Sequence, residues 1–108
     1  MIVVTSPTVP GKNINRAIGL VSGNTIRARH ARKDILAKLR NLVGGEITEY
    51  AKLLAESREQ AVDRMIAQAE KVDANAIVSM QFSTSVIMGS AAEMMAYGTA
   101  VVVEDNRQ

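Results

Sequence analysis

The chain has no cysteine and no tryptophan, and it has a single histidine among its 108 residues. The lack of cysteine excludes disulfides, thiolate metal sites and cysteine nucleophiles. Aromatic residues make up only 3% of the chain and are Tyr50, Phe82 and Tyr97. A core of Ala, Val, Ile, Leu and Met buries less area per residue, and a small domain already buries proportionally little. We therefore expect the chain to associate with copies of itself, because association would bury further apolar surface.

The remaining composition indicates one globular domain that spans residues 1–108. Hydrophobic residues account for 47% of the chain and charged residues for 22%, which is typical of a folded protein. The apolar start at residues 1–5 is far too short for a signal peptide or a membrane span. We expect a cytoplasmic protein that does not contact a membrane.

Hydrophobic alternation and helical periodicity predict four strands and two helices. Strands are expected at residues 2–5, 14–22, 76–88 and 93–104. Helices are expected at residues 30–43 and from residue 46 to about residue 72, the second being roughly 40 Å long. The resulting order, β-β-α-α-β-β, predicts an α+β fold with two helices on one face of an antiparallel-dominated sheet.

The alternation in the second strand predicts which of its residues share a face. Ile18 and Leu20 are expected on one side of the sheet, and Gly19 and Val21 on the other. The segment Ser22-Gly23-Asn24 is expected to end this strand, because its residues are typical of turns.

The third predicted strand is the clearest of the four. Val78, Met80 and Phe82 are expected to share its buried face, while serines and Gln81 occupy most of the other. The fourth strand ends in Val101-Val102-Val103 and is apolar on both faces there. This pattern predicts a central strand or one covered by a neighbouring subunit.

The pair Gly44-Gly45 separates the two predicted helices. Adjacent glycines reach positive φ and provide no side-chain anchor, so they break the helix. Glu46 and Glu49 place negative charge in the next helical turn, and no P-loop lysine follows, so a nucleotide site is not predicted. We interpret the glycine pair and Glu46 as a structural elbow, and Tyr50 as a structural residue of the apolar stripe that follows.

A set of short motifs spans nearly the whole chain in a specific order and spacing. They are MIVVT at 1–5, PTVPGK at 7–12, GLVSG at 19–23, KDI at 33–35, RNLVGGE at 40–46, ANAIV at 74–78 and GTAV at 98–101, with Tyr50, Leu54, Arg58 and Ala61. In these motifs the chain resembles the YbjQ-like family of small bacterial and archaeal proteins.

The resemblance implies a compact α+β subunit, related to the dodecin-like architecture, that assembles into a pentameric ring. It implies no established biochemical activity, although members often carry a heavy-metal-binding label. This chain departs from the family pattern at Val72-Asp73-Ala74, where a glycine commonly ends the long helix. Because Asp tolerates the left-handed conformation better than most residues, we expect the helix cap to be kept.

Arg58 is the main candidate for ligand contact. By helical geometry it lies within about 40° of the centre of the apolar stripe, so its guanidinium must reach solvent, pair or meet a ligand. A structural ion pair with Asp34 or Glu46 is one interpretation. The other is an anion-binding arginine, supported by Arg40 and Lys33, in a pocket between subunits. The leading functional prediction is a homo-oligomer that binds a small anion or ligand there.

Positive charge is concentrated between residues 27 and 40, although the net charge is only +2. The cluster comprises Arg27, Arg29, Arg32, Lys33, Lys38 and Arg40. Such a patch could bind nucleic acid or another polyanion, and a ring would multiply it. Binding of a polyanion is therefore the second interpretation. Nucleic acid is weakly supported as that polyanion, because no aromatic residues lie between the cations to stack on bases.

Metal and catalytic sites have few candidate residues. His30 is the only imidazole and no paired carboxylates lie beside it, so a zinc or iron site within one chain is not predicted. Met80, Met88, Met94 and Met95 could bind Cu(I), but methionine packs in cores far more often than it binds metal. Metal binding across subunits is the third interpretation. No nucleophile–base pair is recognisable, so we expect a non-enzymatic protein without a cofactor.

Overall fold

The computed structural model describes residues 1–27, 46–87 and 91–106. Its elements are β1 (Ile2–Val3), β2 (Lys12–Arg27), α1 (Glu46–Lys71), β3 (Ala76–Ile87) and β4 (Ala91–Asp105). The predicted helix at residues 30–43 and the pair Gly44-Gly45 lie outside the described residues. The two-helix arrangement therefore stays a prediction, whereas the α+β class is confirmed.

The strands form one four-stranded sheet in the order β1-β3-β4-β2. β3 and β2 both pair with β4 in the antiparallel direction, and β1 pairs with β3 in the parallel direction. The sheet is therefore mixed but mostly antiparallel, as predicted. β4 lies between β3 and β2, and its Ala100 and Val101 belong to hydrophobic clusters on opposite faces of the sheet, which explains why its sequence is apolar on both faces.

Helix α1 has 26 residues and packs mainly over β2 and β4. Ala61, Met65 and Ala69 are fully buried and recur every four residues, so they face the sheet as a narrow stripe. Ser57 continues this stripe one turn earlier and is also buried, although periodicity of apolar residues did not indicate it. No helix in the described ranges is long and apolar enough to span a bilayer.

Gly23 brings the helix close to β2. A Cβ atom at this position would lie 2.7 Å from the carbonyl carbon of Arg64 and closer still to backbone atoms of Ala61 and Met65. The sequence-based prediction that the strand ends at Ser22-Gly23-Asn24 is wrong, since β2 continues to Arg27. Gly23 allows the helix and the strand to approach each other closely, and it does not form a turn.

The end of α1 confirms the predicted cap at Asp73. This residue has a φ of 62°, and its N–H donates to the carbonyl of Glu70. The next amide, that of Ala74, donates to the carbonyl of Ala69. Together these bonds form a Schellman motif with Asp73 at the left-handed position, where glycine is the usual residue.

β-Bulges overturn the predicted faces of β2 and β3. The register of β2 against β4 shifts between Ala17 and Gly19, so Ile18 packs against the helix-side core while Leu20 is 75% exposed. In β3, the residues Ser79 and Met80 lie opposite a single residue of β4, with Ser79 at a φ of 54°. A bulge adds one residue and thereby reverses the alternation that follows it.

The bulge in β3 places Met80 with Ile77 in the core beneath the helix, whereas Val78 belongs to a second cluster on the opposite face. Val9 completes that second cluster from the loop between β1 and β2. The loop does not cover the whole of this face, and Leu20 is exposed on the face of the sheet away from the helix. The helix and the loop thus cover different parts of the sheet.

Candidate functional site

An open groove of about 500 Å³ lies between α1 and β3. It exists because the close approach at Gly23 holds the helix over β2 and β4, while few contacts join the helix to β3. The groove is lined by Ala55, Arg58, Glu59, Val62, Asp63 and Phe82. Its volume falls within the range of about 300–1,000 Å³ that is usual for small-ligand sites.

Arg58 supplies the positive charge of the groove. Its side chain is exposed, and it forms no hydrogen bond or ion pair with any described residue. The predicted ion pair of Arg58 with Asp34 or Glu46 stays a prediction, because Asp34 and the side chain of Glu46 lie outside the described residues. Helical geometry predicted Arg58 within about 40° of the centre of the apolar stripe, whereas the structure shows its side chain exposed and lining the groove.

Glu59 and Asp63 add negative charge to the same groove. They are four residues apart on α1, so their side chains lie on one face of the helix. Both are exposed. Two carboxylates beside one guanidinium oppose the binding of a multiply charged anion and favour a ligand that carries both signs of charge.

Phe82 supplies the apolar wall of the groove from β3, and Val62 supplies an aliphatic surface from the helix. Phe82 is 43% exposed, so the prediction that it lies on a buried face is wrong. The helix contacts β3 too little to cover the ring. An aromatic residue in a chain with so few of them was the available sequence signal for this surface.

The other predicted site residues are only partly located. Arg40, Lys33, Asp34 and the glycine pair lie outside the described residues, as does nearly all of the basic cluster. Glu46 is the first residue of α1 and Tyr50 lies in the same helix, but the side chains of both lie outside the part of the chain that the structure describes. The predicted convergence of Arg58 with Arg40 and Lys33 therefore stays a prediction.

The described residues do not fit a heavy-metal site. Within residues 1–27, 46–87 and 91–106 no three Asp, Glu, His or Cys side chains cluster as metal ligands would. Met80 is buried in the helix-side core, and the sulfur of Met94 accepts a hydrogen bond from the Thr84 hydroxyl at 3.3 Å. Soft metals need thiolate, thioether or imidazole ligands, and these thioethers are used in packing. His30 and Met88 lie outside the described residues.

Comparison with known proteins gives a consistent family assignment. A family model described as "Putative heavy-metal-binding", YbjQ, matches residues 1–104. A UPF0145 protein of Methanosarcina acetivorans is 50% identical over 103 residues, covering 95% of this chain and 97% of the relative. A UPF0145 protein of Dehalococcoides mccartyi is 55% identical over 104 residues, covering 96% of this chain and all of the relative. Neither relative has a name that assigns a reaction.

A solved structure shows the same fold at low sequence identity. It is a protein of unknown function from Pediococcus pentosaceus, assigned to the DUF74 family. The two chains superpose with a TM-score of 0.61 at 15% identity, over 96% of this chain and 98% of the other. This likeness supports the fold of the described elements.

Proposed function

This chain belongs to the YbjQ family, and we propose that it is a homo-oligomeric protein that binds a small ligand and catalyses no reaction. The observation that carries the proposal is Arg58, an exposed guanidinium without a described partner in a groove large enough for a small molecule. An exposed cation beside an aromatic and an aliphatic wall suits a ligand with an acidic group and an apolar part.

The two carboxylates of the groove narrow the ligand class. Glu59 and Asp63 would repel a phosphate dianion but would attract an amino group. A zwitterion with an apolar side chain matches the groove best, since its carboxylate can meet Arg58 while its ammonium group meets a carboxylate and its side chain meets Phe82. A simple monocarboxylate would use only part of these contacts.

The oligomeric part of the proposal rests on the composition and on exposed apolar side chains. The core is built from small residues, and both Leu20 and Phe82 leave large parts of their surface exposed. The resemblance drawn from the sequence implies a pentameric ring, with the ligand held between subunits. A location in the cytoplasm is part of the same proposal.

A thermal-shift experiment tests the ligand class. Wild-type protein is melted with L-phenylalanine, benzoate or inorganic phosphate at equal concentration and ionic strength. A ligand that binds only the native state raises Tm, by the equivalent of about 2.7 kcal/mol at one hundred times its Kd. We expect the largest rise with phenylalanine, a smaller rise with benzoate and the smallest with phosphate.

The variant Arg58→Gln should abolish the rise, whereas Arg16→Gln should retain it. Arg16 is an exposed arginine on β2 and does not line the groove, so its variant removes the same charge elsewhere. An equal rise in wild type and Arg58→Gln would contradict the proposal. So would a larger rise with phosphate than with either carboxylate.

A further inference from the structure

The charged residues of the groove between α1 and β3 are spread along the helix. Arg58 and Asp63 both line the groove, and five residues of helix separate them by about 7.5 Å along the helix axis. They also differ by about 140° around the axis, so they do not lie side by side as residues four apart do. Glu59 lies on the same face of the helix as Asp63, so both carboxylates are to one side of the guanidinium. The groove therefore holds a cation and a carboxylate apart.

The sheet beneath the helix shows where the aromatic wall lies relative to these charges. Phe82, Ala96 and Gly23 are opposite one another in a single row across three strands. The helix backbone at residues 61–65 lies directly over Gly23. This row therefore meets the helix near Asp63, and the ring of Phe82 lies toward the Asp63 end of the groove.

The next row of the sheet lies beneath an earlier part of the helix. Thr84, Met94 and Thr25 are opposite one another in this row. The Thr25 hydroxyl donates to the carbonyl of Ser57 at 3.5 Å, and Ser57 directly precedes Arg58. The Arg58 end of the groove is therefore level with Thr84, one row away from the aromatic ring.

A free amino acid reaches only part of this length. Its ammonium and carboxylate groups are attached to the same carbon atom, so a carboxylate that meets Arg58 leaves the ammonium group near Glu59 and away from Asp63. A dipeptide inserts one more residue, which separates its termini by a further 3.3–3.6 Å or so, at roughly the extended spacing of a chain. The volume of about 500 Å³ also suits a ligand larger than one amino acid.

We propose that the ligand is a dipeptide whose N-terminal residue has an aromatic or large aliphatic side chain. Its ammonium group meets Asp63, its N-terminal side chain packs against Phe82, and its carboxylate meets Arg58. The charges select this direction, because a reversed dipeptide would place its ammonium group beside the guanidinium and its carboxylate beside Asp63. The inference rests on the proposed function, since it specifies the ligand of the same groove.

Isothermal titration calorimetry of the wild-type protein tests the length and the direction of the ligand. The probes are L-phenylalanine, phenylalanyl-alanine and alanyl-phenylalanine, and the two dipeptides are isomers of equal charge. Phenylalanyl-alanine should bind at least about ten times more tightly than either of the others, because it alone pairs both termini while its ring meets Phe82.

Acetylated phenylalanyl-alanine tests the contact of the ammonium group, which the acetyl group removes. Acetylation should weaken binding to the wild-type protein by about tenfold. Asp63→Asn should bind the free and the acetylated dipeptide equally. Glu70→Gln is the matched control and should keep the wild-type difference, since Glu70 is an exposed carboxylate of the same helix that does not line the groove.

Each result separates this inference from the proposed function. Phenylalanine binding as tightly as phenylalanyl-alanine would overturn the dipeptide and leave the proposed function standing. Alanyl-phenylalanine binding as tightly as its isomer would overturn the direction, and an acetylation effect that persists in Asp63→Asn would overturn the ammonium contact. If none of the three probes binds, the proposed function and this inference are both wrong.

Discussion

Gly23→Ala should strongly destabilise the fold, because the helix backbone occupies the space that a methyl group would need. The new Cβ would lie 2.7 Å from the carbonyl carbon of Arg64, whereas ordinary contacts begin at 3.4 Å, and it would lie closer still to Ala61 and Met65. The obstructing atoms are all backbone, so no side-chain rotation relieves the overlap. The helix must move outward by roughly 1 Å.

That movement would loosen the fully buried stripe of Ala61, Met65 and Ala69 and would strain the bond from Arg64 to Asn24. Overpacking usually costs about 1–3 kcal/mol, and a rigid backbone obstacle places this variant at the upper end, near 3 kcal/mol. At about 4–8 °C for each kcal/mol, Tm should fall by about 12–24 °C. The assay is thermal unfolding followed by circular dichroism at one fixed protein concentration, because association shifts Tm.

Gly19→Ala separates the steric effect from glycine's backbone freedom. Gly19 has a φ of 147°, but a Cβ there would meet no atom within 4 Å. It should therefore show the cost of backbone strain alone, which is smaller than the cost of displacing the helix. A Tm of Gly23→Ala within 2 °C of wild type (roughly half a kcal/mol or less) would refute the proposed helix–strand contact. A smaller loss than in Gly19→Ala would refute it equally.

Three further changes test individual contacts. Asp73→Gly should raise Tm by about 2–8 °C in thermal unfolding, since glycine adopts the left-handed cap more readily; a lower Tm would contradict the assigned cap. Asn75→Asp should cost about 1–3 kcal/mol in urea unfolding, because it loses the 2.8 Å bond to the carbonyl of Val103; an unchanged midpoint would contradict that bond. Lys12 lowers the pKa of Asp105, so the stabilisation from this pair is complete above the ordinary pKa of 3.8 and is lost as pH falls through the lowered value. In a pH series, Asp105→Asn should lose that extra acid sensitivity, and an identical acid profile would contradict the pair.

The fold could be predicted from the sequence where a pattern repeats without interruption. Periodicity in α1 gave nearly the observed bounds, because apolar residues recur at helical spacing along the segment and three of them, Ala61, Met65 and Ala69, are fully buried. The apolar run at Val101-Val102-Val103 predicted a central strand or one covered by a neighbouring subunit, and β4 does lie between β3 and β2 in the sheet. The cap at Asp73 was predictable since the left-handed position admits few residue types.

The faces of β2 and β3 could not be predicted in the same way. Alternation assumes that every residue has one partner, and the bulges at Ala17–Gly19 and Ser79–Met80 break that rule. Gly23 resembled a turn residue because the sequence does not show which backbone will approach it. Such an approach depends on tertiary packing between elements far apart in the chain.

Arg58 is the one residue of the groove lining that the sequence also indicated as a candidate for ligand contact. Arg58 was identifiable because a cation near an apolar stripe is unusual. Phe82 was placed on a buried face, and Glu59 and Asp63 were not among the predicted site residues. The groove arises from the position of the helix over β2 and β4, which leaves β3 partly uncovered. The sequence of α1 or of β3 alone does not show where the helix will lie on the sheet.

Native mass spectrometry of gently purified protein is the most direct test of ligand binding at Arg58. The wild-type assembly should carry additional mass from a small zwitterionic or carboxylate ligand, released on denaturation, with at most one ligand for each subunit. Arg58→Gln should form the same assembly without the added mass, while Arg16→Gln should keep it. A wild-type assembly with the mass of bare polypeptide, or the same bound mass in Arg58→Gln, would contradict the account.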